Sequence, residues 1–93
     1  MQENAMGFIE TFGYGTAVMA ADAALKAAAV EILRIENTIG SGGSLGVTIF
    51  LRGEVAAIEA GTQAAQEVGK VVASNVIPNL DNKVRQGMYH NKI

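Results

Sequence analysis

The chain has 93 residues, 49% of them hydrophobic, a formal net charge of −2 and no cysteine. A chain this short makes one domain and buries only about 60–65% of its unfolded surface, so partner copies are expected to cover some apolar surface. The acidic balance opposes nucleic-acid binding, which needs a basic stripe. The lack of cysteine excludes disulfides and thiolate metal sites, and no apolar run approaches the ~20 residues of a membrane span. Met1–Asn4 carries neither the basic nor the apolar stretch of a secretion signal, so the reading is a soluble, cytoplasmic protein.

Met6–Phe12 reads as a first strand, with Met6, Phe8 and Phe12 on one face and Gly7 and Ile9 on the other. Gly13 and Gly15 break it. Thr16–Ala29 follows a helical period in which Val18, Ala21, Leu25 and Ala28 form the predicted buried stripe. Asp22 and Lys26 stand one turn apart on a different face, where such a pair adds little to the helix. Val30–Ile39 and Gly46–Arg52 are the second and third strands, joined by the small polar loop Gly40–Gly46. Val55, Ile58, Ala65 and Val68 support a second helix, closed by Gly69. Val71–Ile77 is a fourth strand, stopped by Pro78.

The order β-α-β-β-α-β predicts an α+β, ferredoxin-like fold, a four-stranded antiparallel sheet with two helices on one face. The folded domain is expected to span residues 5–80, followed by a tail over 81–93. Residues 1–80 hold eight acids and four bases, a net −4, whereas 81–93 hold one acid and three bases, a net +2. The tail therefore reads as a loosely ordered, solvated basic extension.

Chemistry has little to stand on. No Gly-Lys-Ser/Thr follows the Gly40–Gly46 loop, so it is not a P-loop, and a strand rather than a helix comes next, which excludes a dinucleotide fingerprint. Gly13 and Gly15 suit a tight strand-to-helix turn better than an anion site. His90, the lone histidine, lies in the tail and reads as solvated. Glu31 and Glu36 are five apart on a strand, which places them on opposite faces and spoils a carboxylate pair. Glu54, Glu59 and Glu67 form the wet face of a helix. The expectation is no catalytic residue, no metal site and no cofactor, hence not an enzyme.

Five stretches, in order, carry a family resemblance: Met6-Gly-Phe-Ile-Glu-Thr-Phe-Gly13, Ala20-Ala-Asp-Ala-Ala-Leu-Lys-Ala-Ala28, Ile39-Gly-Ser-Gly42, Val47-Thr-Ile-Phe-Leu-Arg-Gly-Glu-Val-Ala-Ala57 and Val76-Ile-Pro78. Over about Ala5–Pro78 the chain resembles the hexamer-forming, single BMC-domain shell proteins of bacterial microcompartments. The resemblance implies a structural protein that self-assembles as a cyclic homo-hexamer. Such hexamers tile edge to edge with neighbouring hexamers and other shell proteins into a facet enclosing metabolic enzymes. It also implies an axial pore lined on this chain by Ile39, Gly40, Ser41 and Gly42, with Gly43 and Ser44 of a lengthened loop. Amides and hydroxyls there would pass small polar or anionic metabolites and slow bulkier or apolar ones.

The same resemblance implies hexamer-edge contacts at Asp22, Lys26 and Asn79. Lys26 matches a lysine that lies across its symmetry mate and bonds backbone carbonyls. Three departures stand out: Gly43-Ser44-Leu45-Gly46 reads as an insertion, Asn37-Thr38 replaces a short basic approach, and Asn79 stands where arginine is common. Asparagine cannot reproduce the planar five-donor fork of arginine, so lateral tiling is expected to be altered. The alternative reading is an oligomeric small-ligand sensor or regulatory module on the same fold, binding ligands between subunits through Gly40–Gly46.

Overall fold

The computed structural model describes residues 5–39, 45–68 and 71–90. The elements run β1 (Ala5–Phe12), α1 (Tyr14–Ala27), β2 (Glu31–Ile39), β3 (Leu45–Gly53), α2 (Val55–Val68), β4 (Val71–Ile77) and α3 (Asn82–His90). The four strands form one sheet in the order β2-β3-β1-β4, with every neighbouring pair antiparallel. This is the expected ferredoxin-like arrangement. Among the described residues no helix is long and apolar enough to cross a membrane.

Strand alternation builds the core. Ala5, Gly7, Ile9 and Thr11 of β1 share one face and pair with Gly53, Leu51, Ile49 and Val47 of β3. Ile9, Val47, Ile49 and Leu51 are all buried there against Ala17, Ala20, Ala21 and Ala24 of α1 and Ala65 of α2. Small residues also bring the two helices together, for a Cβ built on Gly61 would lie 3.4 Å from that of Ala24. On the remaining contact, Gly7 leaves the space that Ile58 of α2 occupies over the sheet.

The helix registers differ from the expected stripes. In α1 the buried residues are Ala17, Ala20, Ala21 and Ala24, whereas Val18 and Leu25 are about half exposed. In α2 they are Ile58, Gly61, Thr62 and Ala65, and Val55 and Val68 face outward. In α1, close helix–helix approach selects the smallest side chains for the inner stripe, which leaves Val18 and Leu25 outside, while Ile58 of α2 stays buried over Gly7. Helix α1 also begins earlier than expected: Gly13, with φ 84°, is its N-cap, so Tyr14 and Gly15 lie within it.

A second difference is a β-bulge between Ile32 and Arg34. The extra residue resets the alternation, so Glu31 and Glu36 share the face opposite the helices, paired across to Arg52 and Thr48 of β3. The expectation of opposite faces assumed an unbroken strand.

The C-terminal segment is also more ordered than a solvated tail. Asp81 caps α3 through its Oδ1, which accepts the Lys83 backbone N–H at 2.8 Å. Leu80, just before it, is buried.

Candidate functional site

The topology separates the expected pore and edge residues. The ladder's last rungs at one end of the sheet are Ile39 with Leu45, Phe12 with Gly46, and Thr11 with Val71. Strand β2 therefore ends and β3 begins at this end. Gly40, Ser41, Gly42, Gly43 and Ser44 lie outside the described residues, as does Gly69, and Ile39 is placed by its backbone at the end of β2.

At the opposite end Ala5 pairs with Gly53, Glu31 with Arg52, and Met6 with Ile77. Helix α1 runs from the Phe12 end toward the start of β2, so Lys26, in its last turn, lies at the end away from residues 40–44. Asn79, two residues beyond the last β4 residue, lies at that end too.

Lys26 and Asp22 form an ion pair of 2.8 Å with both side chains well exposed. The hydrogen bond from Lys26 to Asp22, with the charge of that carboxylate, raises the lysine above its ordinary pKa. Beside the pair lies a shallow depression of about 310 Å³, lined by Met19, Asp22, Ala23, Lys26 and Val68. Its floor is apolar and its rim carries one charge of each sign. A surface of this kind is suited to meeting another copy of itself.

Asn79 is exposed and holds φ at 122°, a conformation that side-chain-bearing residues seldom adopt. Its N–H donates to the Ile77 carbonyl at 3.2 Å, closing a three-residue turn centred on Pro78. Beyond it, Asn79, Leu80, Asp81, Asn82 and Arg85 line a polar depression of about 430 Å³. Lys26 and Asn79 thus border separate depressions within one protomer.

The sheet face opposite the helices carries most of the fixed charge pairs. Arg52 Nη2 donates to Glu31 Oε1 at 2.6 Å, and Arg34 pairs with Glu36 at 2.9 Å. The Arg34 guanidinium also stacks 4.7 Å from the centre of the Phe50 ring, which meets Phe8 edge-on at 5.3 Å. Glu31 and Glu36 share a face, but each is held by its own arginine rather than by the other carboxylate. Sequence reasoning missed this cluster because the bulge that creates it has no glycine or proline to announce it.

The fold and these surfaces define an α+β module with a four-stranded antiparallel sheet and two helices on one face. The BMC domain family model matches residues 5–80, and the chain belongs to that family. It is 45% identical over 82 residues to the bacterial microcompartment shell protein PduA of Citrobacter freundii, covering 84% of each chain. Against the shell protein EutM of Escherichia coli (strain K12) it is 41% identical over 78 residues, covering 80% of this chain and 76% of the relative. Against the carboxysome shell protein CcmK2 of Synechococcus elongatus it is 41% identical over 73 residues, covering 78% and 68%. A crystal structure of a microcompartment protein from Desulfitobacterium hafniense DCB superposes with a TM-score of 0.74 at 25% identity. The match covers 96% of this chain, which spans about half (48%) of that one.

Proposed function

We propose that this protein is a structural tile of a bacterial microcompartment shell, assembling as a cyclic hexamer with a central pore and meeting neighbouring shell proteins along an edge. The observation that carries the reading is the separation described above. Strand β2 ends at Ile39 and β3 begins at Leu45 at one end, while Lys26, Asp22 and Asn79 lie toward the other. A protomer with that polarity fits a ring in which the loop end faces the axis and the Lys26 end faces the next ring. Shell-protein relatives of similar length, matched over most of both chains, support it.

The pore is lined by Ile39, Gly40, Ser41, Gly42, Gly43 and Ser44, and the edge by Asp22, Lys26 and Asn79. The protein works as a wall rather than an enzyme: Glu31 and Glu36, which share one sheet face, are each paired with an arginine. Enclosed enzymes and small polar metabolites are its partners on the two sides of that wall.

Native mass spectrometry across a concentration range tests the reading. A dominant six-chain species is expected. A chain that stays monomeric at high concentration sinks the proposal, and saturable ligand binding without sheet formation would favour a sensor module instead.

A further inference from the structure

Phe12 is the most exposed large hydrophobic residue among those described, with 59% of its surface open to solvent. It ends β1, on the face opposite the helices, one rung short of the last β2–β3 pair, Ile39 with Leu45. Its partner across β3 is Gly46, which has no side chain to cover the ring. Two residues back on the same face stands Glu10, also exposed. Glu10 pairs across to Thr48 on β3 and Ala73 on β4, so neither strand neighbour is a cation. Glu36, on the same rung across Thr48, and Glu31, farther along this face, differ in this respect, since each sits against an arginine. The loop end of the face therefore presents an exposed aromatic ring with an exposed carboxylate, without a cation among its described strand partners, about 7 Å behind it along the strand.

Resting on the ring reading, we infer that Phe12 is a constriction residue and Glu10 a charge-selecting residue at the pore mouth on the sheet side. Strands in a sheet lie about 4.8 Å apart, so Phe12 stands one strand spacing from β3, whose start leads out of the axial loop. Repeated by the ring symmetry, the phenyl groups make an apolar collar that narrows the mouth and disfavours a continuous water column. The Glu10 carboxylates make a concentric negative ring that raises the local concentration of cations and lowers that of anions. The ligand class that this mouth admits is small cationic or neutral polar molecules. Anions meet a barrier there, which narrows the expectation drawn from the glycine-serine loop alone.

The test is conductance of the assembled ring in a planar lipid bilayer, with potassium chloride as the permeant salt. The wild-type ring is expected to prefer potassium to chloride, read from the reversal potential under a salt gradient. Glu10→Gln is expected to move that potential severalfold closer to zero preference with little change in conductance. Phe12→Ala is expected to raise conductance severalfold while keeping the preference. Both residues are exposed, and native mass spectrometry of each variant checks that the ring persists. A Phe12→Ala ring with wild-type conductance, or a Glu10→Gln ring with wild-type selectivity, overturns the inference and leaves the ring reading standing. A wild-type chain that forms no ring overturns both.

Discussion

Gly7 of β1 lies directly under Ile58 of α2, and a Cβ built on it would overlap the Cγ2 of that isoleucine. Ile58 is fully buried, so its side chain has nowhere to retreat. Gly7→Ala should therefore push α2 off the sheet and cost about 1–3 kcal/mol, as over-packing of a tight core does. At about 4–8 °C per kcal/mol for a domain of this size, the loss is plain in a thermal melt. Gly15 is the contrast. It lies in α1 with open space around its Cα, so Gly15→Ala should stabilise by about 0.4–1 kcal/mol. Equal melting points for the two variants would show that α2 does not press on Gly7.

The inner stripe of α1 predicts a similar asymmetry. Ala24 is fully buried and touches the Gly61 backbone position of α2, whereas Leu25, one residue on, is 48% exposed. Ala24→Leu should separate the two helices and destabilise the protomer by about 1–3 kcal/mol. Leu25→Ala should change protomer stability by less than about 0.5 kcal/mol, as for an ordinary surface site. Urea unfolding of the two variants under conditions that keep the chain dissociated measures the difference. A larger loss for Leu25→Ala would mean the helix is rotated from the register described.

These two cases show what was legible in the sequence. Strand alternation placed Gly7 and Ile9 on one face and Met6, Phe8 and Phe12 on the other, and that is the observed sheet. In the helices the same logic chose Val18 and Leu25 for the core, because apolar size usually marks the buried side. Alanine fills so much of α1 that its pattern carries little contrast, and close packing against α2 decided the register instead. The bulge at Leu33 was invisible for a similar reason, since any residue can supply it. The Asp81 cap was readable as a helix start, but net charge drew attention to the tail as a solvated arm. Lys26 and Asp22 were legible as a pair from spacing alone, and the ion pair bears that out.

Asn79 offers a prediction about conformation rather than contact. Its φ of 122° is strained for any residue with a Cβ, though asparagine tolerates positive φ better than most. Asn79→Gly should raise the melting temperature by several degrees, because glycine removes strain of about 1 kcal/mol. Asn79→Arg would restore a five-donor fork at the end of the molecule that carries Lys26, but at a φ that arginine adopts poorly. It is expected to melt lower than wild type while assembling laterally at lower protein concentration. A higher melting point for Asn79→Arg would indicate that the turn relaxes around the new residue.

Lys26 tests the edge most directly. It is exposed and outside the buried stripe of α1, so Lys26→Ala should leave the fold and the ring intact while abolishing sheets or tubes seen by electron microscopy. Loss of the ring itself would assign Lys26 to a contact within the hexamer. The pH dependence has a definite sign. Asp22 raises the pKa of the folded lysine above its ordinary value, so the pair's contribution is complete below that ordinary value. It is lost as pH climbs through the raised one, where the ammonium gives up its proton and can no longer attract a carboxylate or donate three hydrogen bonds. Lateral assembly that depends on this ammonium should therefore disappear reversibly in strongly alkaline buffer, before the ring dissociates. Turbidity followed alongside native mass against pH separates the two events. Sheets that persist above the raised pKa would show that the edge is held by the apolar floor of Met19, Ala23 and Val68 rather than by the lysine charge.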